Sequence, residues 1–423
     1  MAYKNTESKK QSKYKSDNEL SRRSILEESI GSGSNPTQLR QPENQVVDLR
    51  KTSLTRRTTL KSVFGGITGL SLTNVIARKG LGSGPVEITT IEHRGKAKET
   101  KLVPRDWYQH VQAVRKAFEN LQNKWQSKDW FTGIGQTADS ETIAGMKKHK
   151  LKVYVTDRGS ASQIVPSHVD GIPIDIELEK DGEKELDGHV SDQCENYDYR
   201  QSCPEGGSYL TNDINPCCFS ATCIVEYNSN PYLMTSGHVF NSDCSSIECG
   251  DVSGSPLYSG PRSSRYYFGD VSDHSYEYDF VIVPNQGTNV NGISNEIISE
   301  GIEHVEGHVT QNGIYTLIND DDAVHHTGIS TGRTTGLVEE IVSKDTGFCA
   351  PYVDMVKTST NAAGGDSGGP HFDTYNDGRQ LAIIGHHLRH ELDSSGDHDY
   401  SLAPAAYEVA DIYNITFGRS STC

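Results

Sequence analysis

The run that most constrains this chain is Gly365-Asp366-Ser367-Gly368-Gly369-Pro370. Its glycines allow a tight turn that brings backbone N–H groups close to a bound molecule, where any Cβ would clash. A serine hydroxyl is a weak nucleophile at neutral pH, so a catalytic serine needs an imidazole base, a carboxylate that orients the base, and N–H donors for the oxyanion. The run predicts such a nucleophile at Ser367. The alternative is a glycine-rich loop with an incidental serine, and partner residues elsewhere in the chain decide between them.

Two partner residues stand at the edges of strand-like segments. His238 follows the apolar Tyr232-Leu233-Met234, where a strand gives way to a loop. Asp279 opens the run Asp279-Phe280-Val281-Ile282-Val283, where a carboxylate can be buried and still bond to imidazole. The competing carboxylates do not lead directly into an apolar strand: Asp270, Asp273 and Glu277.

His238, Asp279 and Ser367 follow the His, Asp, Ser order of chymotrypsin-like folds. The chain therefore resembles the trypsin/chymotrypsin-like serine peptidases. Its run from Thr327 to Val338 is similar to the Gly/Thr-rich strand of the secreted bacterial streptogrisin-type members. The resemblance implies a mainly β fold of two antiparallel barrels, with Ser367 as nucleophile, His238 as general base and then acid, and Asp279 fixing the imidazole tautomer. It also implies an oxyanion hole formed by the backbone N–H groups of Gly365 and Ser367.

The resemblance implies two residues of the substrate pocket. Asn361, six residues before the serine, occupies the position at the base of the primary pocket, where trypsins have Asp and the bacterial relatives a disulfide cysteine. The strand-like run from Leu381 to His387 resembles the pocket wall, where His387, or its neighbour His386, would face a substrate side chain. By analogy with glutamate-specific relatives, a histidine there favours an acidic residue. The alternative is a surface histidine pair, because a slip of one residue turns the side chain away.

Charge divides the chain sharply. Residues 190–423 carry 33 acidic and 9 basic side chains, a net charge of −24, which leaves +7 for residues 1–189 of the total of −17. Molar salt shortens the Debye length to about 3 Å and screens such self-repulsion. We therefore expect a halophilic, haloarchaeal protein; attraction to a cationic substrate is the competing interpretation. The acidic half gives no support to nucleic-acid binding.

All nine cysteines fall in the acidic part, which indicates an oxidising destination. Cys223 and Cys244 flank His238, and the resemblance implies a disulfide between them. The other pairings stay open, and the odd total leaves one cysteine without an intramolecular partner. The sequence has no paired C-x-x-C spacing that would indicate a zinc site.

The N-terminal part predicts export and a separate small domain. Residues 1–54 are polar and read as a disordered extension, whereas residues 55–77 resemble a twin-arginine signal with Arg56-Arg57 before an apolar stretch. Residues 85–180 predict an α/β pro-domain, because the apolar spacing of Pro104 to Trp125 is helical and strand-like runs follow it. This domain either assists folding or blocks the cleft until it is removed, or it is a permanent regulatory domain. Maturation is expected within residues 180–206.

These features together predict a secreted serine endopeptidase whose protease domain covers residues 190–423. Its partners are protein or peptide substrates, its own pro-domain and the twin-arginine export machinery, without nucleic acid or a stable membrane anchor. We expect no cofactor and no metal; the histidines and acidic runs near the C-terminus lack the spacing of a dedicated metal loop. The alternatives are a catalytically silent, protease-like binding module and an esterase.

Overall fold

The computed structural model describes residues 84–179, 201–214, 218–241, 251–298, 304–344, 352–376, 378–392 and 398–423. All of them belong to one structural unit of the chain, residues 48–423. The predicted polar extension, the predicted export signal, Cys244 and most of the predicted maturation segment lie outside the described residues. Among the helices that the structure describes, none combines the length and the apolar character needed to cross a membrane.

Residues 84–179 begin with a hairpin and continue with a long helix packed on further strands. The elements are β1 Val86–His93, β2 Lys96–Val103, α1 Arg105–Trp125, β3 Phe131–Ile143, β4 Met146–Val155, α2 Arg158–Ser162, β5 His168–Val169 and β6 Ile172–Leu178. Helix α1 begins directly after Pro104, whose ring does not disturb a first turn. Its buried face carries apolar residues at helical spacing: Trp107, Val111, Val114, Ala117, Phe118, Leu121 and Trp125.

The middle of the chain consists of short antiparallel strands. They are β7 Tyr209–Asn212, β8 Cys218–Ser220, β9 Cys223–Tyr227, β10 Asn230–Ser236, β11 Pro256–Ser259, β12 Tyr266–Asp270, β13 Asp273–Ser275 and β14 Phe280–Val283, with a 3₁₀ turn at His238–Phe240. The remaining elements are β15 His304–Val309, α3 Gln311–Asp320, β16 Ala323–Gly328, β17 Gly332–Lys344, β18 Val353–Thr358, β19 Pro370–Tyr375, β20 Gln380–His386, β21 Arg389–Leu392, β22 His398–Pro404, α4 Ala406–Tyr413 and β23 Thr416–Phe417.

The middle strands form two facing sheets, in the orders β12-β11-β7-β8 and β13-β14-β10-β9-β23. One apolar core fills the space between them, with Leu210 and Phe219 from the first sheet against Leu233 and Val281 from the second. Strands β15 to β22 belong to a larger sheet together with the strands of residues 84–179. Its order is β2-β1-β15-β20-β19-β16-β17-β3-β4-β6-β5, and β18 joins β17 to β22. The fold is mainly β, as the sequence predicts.

The described cysteines differ from expectation at one pair. Cys203 is joined to Cys423 across 220 residues, and Cys218 is also disulfide-bonded. The bridge expected between Cys223 and Cys244 is absent, because Cys223 is a buried free thiol. Its side chain packs inside an apolar cluster with Val225 and Met234, and burial raises the pKa of this thiol above its usual range.

Candidate active site

Strand pairing brings His238 and Asp279 together. β10 and β14 run antiparallel with Ser236 opposite Phe280, so the residue before β14 meets the turn after β10. The Asp279 carboxylate accepts the backbone N–H of His238 at Oδ1 and the ring Nδ1–H at Oδ2, each at 2.7 Å. Both side chains are buried. Since a carboxylate accepts and does not donate, Nδ1 of His238 carries the proton and Nε2 has a lone pair.

That lone pair faces the serine. The His238 Nε2 atom lies 2.9 Å from Oγ of Ser367, which is itself buried. The hydroxyl donates to the imidazole, which in turn donates to Asp279. This chain of bonds is the arrangement in which an imidazole removes a proton from an attacking serine.

Asp279 is held from its backbone side as well. Its φ of +49° is in the left-handed region, which Asp tolerates better than most residues. Its carbonyl oxygen accepts the N–H of Gly237 and the Nε2–H of His386, each at 2.9 Å. Burial lowers the pKa of His386 to about 4, which favours the neutral ring. His386 therefore helps to hold the backbone of Asp279 in place. In the sequence analysis, His386 was the alternative to His387 in the wall of the substrate pocket.

The loop that carries Ser367 depends on its glycines. Gly365 and Gly368 have φ of +100° and +86°, which a residue with a Cβ rarely adopts. A Cβ on Gly368 would also lie 2.3 Å from the carbonyl oxygen of Ser220. Within the described part of the chain, nothing accepts a hydrogen bond from the backbone N–H of Gly365 or of Ser367. These two donors are thus available to an oxyanion.

Asp366 anchors this loop beneath the serine. Its Oδ1 accepts the backbone N–H groups of Ser330 (2.7 Å) and Thr331 (3.3 Å). Its Oδ2 accepts the Thr331 hydroxyl at 2.7 Å and the N–H of Ala363 at 3.0 Å. Burial raises the pKa of Asp366, and these hydrogen bonds act in the opposite direction. The carboxylate therefore ties the turn between β16 and β17 to the nucleophile loop.

Three buried histidines lie next to the same loop. Their ring centroids are 4.6 Å apart for His326 and His371, 5.0 Å for His326 and His387, and 5.4 Å for His371 and His387. Nε2 of His371 is 3.2 Å from Nδ1 of His387. Burial lowers the pKa of His371 well below its usual range. We call this group the histidine cluster.

The histidine cluster is tied directly to the nucleophile loop. The carbonyl oxygen of His387 accepts the N–H of Gly368 at 2.9 Å, and its N–H donates to the carbonyl oxygen of Gly369 at 2.7 Å. A Cβ on Gly369 would lie 3.0 Å from Nε2 of His326. The cluster is thus built into the wall beside Ser367, and the structure places the predicted His387 there together with two histidines that the sequence did not assign to the site.

The cluster continues toward the surface. His387 stacks on His390 and His390 on His398, with centroids 6.4 and 5.8 Å apart. The Nδ1 atom of His371 lies 3.3 Å from the hydroxyl of Thr360, whose carbonyl oxygen accepts the Ser401 hydroxyl. Five imidazoles therefore form a row that reaches the partly exposed His398.

Among the described residues, the histidine cluster is the group of side chains whose arrangement would suit a metal ion. One ligand nitrogen from each of His326, His371 and His387 lies within 4.8 Å of the others. Neutral imidazole nitrogens are ligands that Zn²⁺ prefers. A metal bound through Nε2 of His371 and Nδ1 of His387 would have to replace the 3.2 Å hydrogen bond between these two atoms.

Asn361 is placed apart from these contacts. Asn361 is exposed, and its backbone carbonyl oxygen accepts a hydrogen bond from the Thr334 hydroxyl at 2.7 Å. Its predicted position at the base of the substrate pocket stays a prediction.

Comparison with known proteins gives matches among solved structures. No family model and no curated protein matches the chain. A glutamic acid-specific serine protease, described as using a histidine triad in substrate binding, is 22% identical over 50% of this chain and 98% of its own, with a TM-score of 0.35. Thermobifida fusca protease A is 17% identical over 52% and 100%, with a TM-score of 0.37. Cellulomonas bogoriensis chymotrypsin is 17% identical over 50% and 97%, with a TM-score of 0.35. These matching solved structures are proteases of the chymotrypsin-like type, and each aligns with about half of this chain.

Proposed function

We propose that the protein is a serine endopeptidase that cleaves peptide bonds through an acyl-enzyme. The observation that carries the proposal is the continuous set of hydrogen bonds from Ser367 through His238 to Asp279, at 2.9 and 2.7 Å. Burial of all three side chains keeps water from competing for these bonds. The arrangement supports nucleophilic catalysis by the serine.

In the first half of the reaction, Oγ of Ser367 bonds to the carbonyl carbon of the substrate while its proton moves to Nε2 of His238. The negative oxygen is bound by the N–H groups of Gly365 and Ser367. When the C–N bond breaks, the imidazolium returns this proton to the leaving amine. Asp279 stays ionised throughout and stabilises the charged imidazole.

The second half of the reaction repeats these roles with water. His238 takes a proton from a water molecule that attacks the ester carbonyl of the acyl-enzyme. The bond between the acyl carbon and Oγ breaks, and the imidazolium returns the proton to Ser367. A carboxylic acid leaves, and the residues return to their starting protonation states.

We further propose that the preferred substrate carries an acidic side chain before the cleaved bond. In the tautomer in which His371 donates from Nε2 to Nδ1 of His387, His387 carries its own proton on Nε2 and can donate it to a carboxylate. The centroids of His326 and His371 lie 5.0 and 5.4 Å from that of His387, so the three rings form one continuous polar surface. The similar protease described as glutamic acid-specific and as using a histidine triad supports the same assignment.

Export, secretion and adaptation to high salt remain part of the proposal, resting on the sequence alone. The excess of carboxylates in residues 190–423 means that assays belong in molar salt as well as in dilute buffer.

The first test is labelling by a fluorophosphonate probe of the full chain and of Ser367→Ala. We expect labelling at Ser367 that the substitution abolishes. Absence of labelling in a folded chain would contradict the proposal and favour the silent binding module. Labelling with hydrolysis of simple esters but no cleavage of any peptide would favour an esterase.

The substrate preference is tested with peptides that differ only in Glu or Gln before the cleaved bond, with and without a metal chelator. We expect faster cleavage after Glu, unchanged by the chelator. His326→Gln and His387→Gln should reduce the ratio of the two kcat/KM values, whereas His325→Gln should not. His325 is the matched control because it is next to His326 on β16 and bonds to Thr335 instead. Equal cleavage of both peptides would contradict the acidic preference and leave the protease assignment intact.

A further inference from the structure

Residues 84–179, which we call the N-terminal unit, share strand ladders with the C-terminal half. β1 pairs antiparallel with β15, and Ile91 lies opposite Val309. β3 pairs antiparallel with β17, from Thr137 opposite Glu340 to Gly133 opposite Lys344. The N-terminal unit therefore occupies both flanks of the strands β15 to β17 in one continuous sheet.

The unit also shares an apolar core with that half. Trp107 of α1 belongs to the same buried cluster as Ile314 and Tyr315 of α3 and Ile341 of β17. Each of these four side chains is at most 1% exposed. Other members of this cluster come from both sides of the contact: Ile88, Ile91, Val103 and Val111 of the N-terminal unit, and Val309, Leu317, Val338, Val356, Ile384 and Tyr407 of the C-terminal half.

Buried polar groups are matched across the same contact. The Tyr154 hydroxyl donates to the buried carboxylate of Glu340 at 2.7 Å. Lys344, with a side chain only 4% exposed, pairs with Glu179 at 3.0 Å. The amide of Gln122 donates to the Ser343 hydroxyl at 2.8 Å. These pairs need both parts of the chain in place.

We infer that the N-terminal unit is a permanent part of the folded enzyme, and that it stays bound even when the chain between it and the catalytic residues is cut. Its departure would expose the apolar cluster and leave the ladder edges of β15 and β17 without partners, which are surfaces that soluble proteins avoid. The surface formed by β15, α3 and β17 thus has the N-terminal unit of the same chain as its partner.

The N-terminal unit also bears on the histidine cluster. This second point rests on the proposed function, whereas the retention of the N-terminal unit does not. The ladder continues from β3 through β17 to β16, β19 and β20. β16 carries His326 and β19 carries His371, opposite each other in register. The N-terminal unit therefore supports, through β17, the strands that hold the histidine cluster.

The test uses the full chain with Ser367→Ala and a recognition sequence for a site-specific protease inserted between Asp187 and Gly188. After cutting, the two fragments are passed through a sizing column at neutral pH in molar salt and then in urea. We expect them to elute together until the urea concentration that unfolds the protein. Elution of the small fragment alone, with the large one still folded by near-ultraviolet circular dichroism, would overturn the inference.

Two matched substitutions and one independent measurement sharpen this test. A Cβ on Gly135 would lie 1.4 Å from Oε1 of the buried Glu340, whereas a Cβ on Gly84 meets no atom within 4 Å. The cut Gly135→Ala protein should therefore separate at a lower urea concentration than the cut Gly84→Ala protein. If the inserted sequence prevents folding, hydrogen exchange of the Ser367→Ala chain replaces the column. Slow exchange of β3 and β17 in one cooperative step supports retention, and early opening of β3 alone overturns it.

Discussion

Asp279 holds His238 at two points, because one carboxylate oxygen accepts the backbone N–H and the other accepts the ring Nδ1–H, each at 2.7 Å. The first bond fixes the turn that carries the imidazole, and the second fixes its tautomer. One side chain therefore sets both the position and the protonation of the proposed base.

Asp279→Asn tests this double role. An amide keeps the shape of the carboxylate and tolerates the left-handed backbone, but its NH₂ group can donate to Nδ1 and move the imidazole proton to Nε2. We expect kcat to fall by about 10⁴-fold with little change in the thermal midpoint. The measurement is peptide hydrolysis beside a melting curve. Glu277→Gln, close in sequence, is the control that should retain activity, and an equal loss in that variant would contradict the assignment of the acid.

Asp366→Ala tests the anchor of the nucleophile loop. The change leaves the backbone N–H groups of Ser330, Thr331 and Ala363 without their acceptor. An unpaired donor costs about 1–3 kcal/mol when it is buried. Because these three donors are partly buried, we expect the free energy of unfolding to fall by about 1–3 kcal/mol in total and labelling of Ser367 to be lost. Asp373→Ala, on the following strand, should keep its labelling. Unchanged labelling in Asp366→Ala would show that the loop holds its shape without the carboxylate.

Acid should weaken the contact between the N-terminal unit and α3 through His149. This buried ring lies between Trp107 and Tyr315, with centroids 6.0 and 5.2 Å away, and burial lowers its pKa to about 3. Because the unfolded chain takes up the proton near pH 6.5 and the folded chain does not, stability is lost as the pH falls from 6.5 toward 3. We expect His149 to account for a loss of about 1.5 kcal/mol in the free energy of unfolding between pH 6.5 and 5.

His149→Phe isolates this contribution, because it keeps an aromatic ring between Trp107 and Tyr315 but cannot titrate. Urea unfolding of both proteins on the Ser367→Ala background, at pH 6.5 and pH 5, gives the difference. Carboxyl groups whose pKa is raised in the folded chain, such as that of Asp373, stabilise the folded chain as the pH falls. Both proteins contain these groups, so their contribution cancels in the difference between the two proteins. An identical pH dependence in both proteins would contradict the prediction.

The disulfide between Cys203 and Cys423 should stabilise the folded chain strongly, since it closes a loop of 220 residues. Cys203→Ser, Cys423→Ser and the double substitution each break the same bond. We therefore expect all three to lower the free energy of unfolding by a similar amount, about 3–5 kcal/mol, without loss of Ser367 labelling. A double variant with twice the effect of each single one would mean that the two cysteines act independently.

The parts of the site that the sequence could predict are those marked by short local patterns. Ser367 stands in a glycine run, and His238 and Asp279 stand at strand ends, so order and context identify all three; the structure brings them together, and their catalytic roles await the tests above. His326 and His371 carry no local pattern. They meet His387 only through the register of β16, β19 and β20, and side-chain partners across strands are not visible in one sequence.

The same distinction holds for the fold. Helix α1 matches the predicted helical spacing between Pro104 and Trp125. Strand β2 was missed because it lies at the end of the sheet with mostly exposed, charged side chains, so it lacks an alternating apolar signal. The expected bridge from Cys223 was wrong because that thiol faces the core.

The ladders of the N-terminal unit join residues that are far apart in sequence. The Thr310 hydroxyl bonds to the carbonyl oxygen of Thr89, 221 residues earlier. Contacts of such high sequence separation form slowly, because a long loop must close before any of them contributes. During synthesis, residues 84–179 emerge before β15 and β17, so their apolar faces stay uncovered until those strands have been made. A segment made before the catalytic residues is thus completed only after β17 has been made, and folding of the whole protein depends on keeping that segment soluble in the interval.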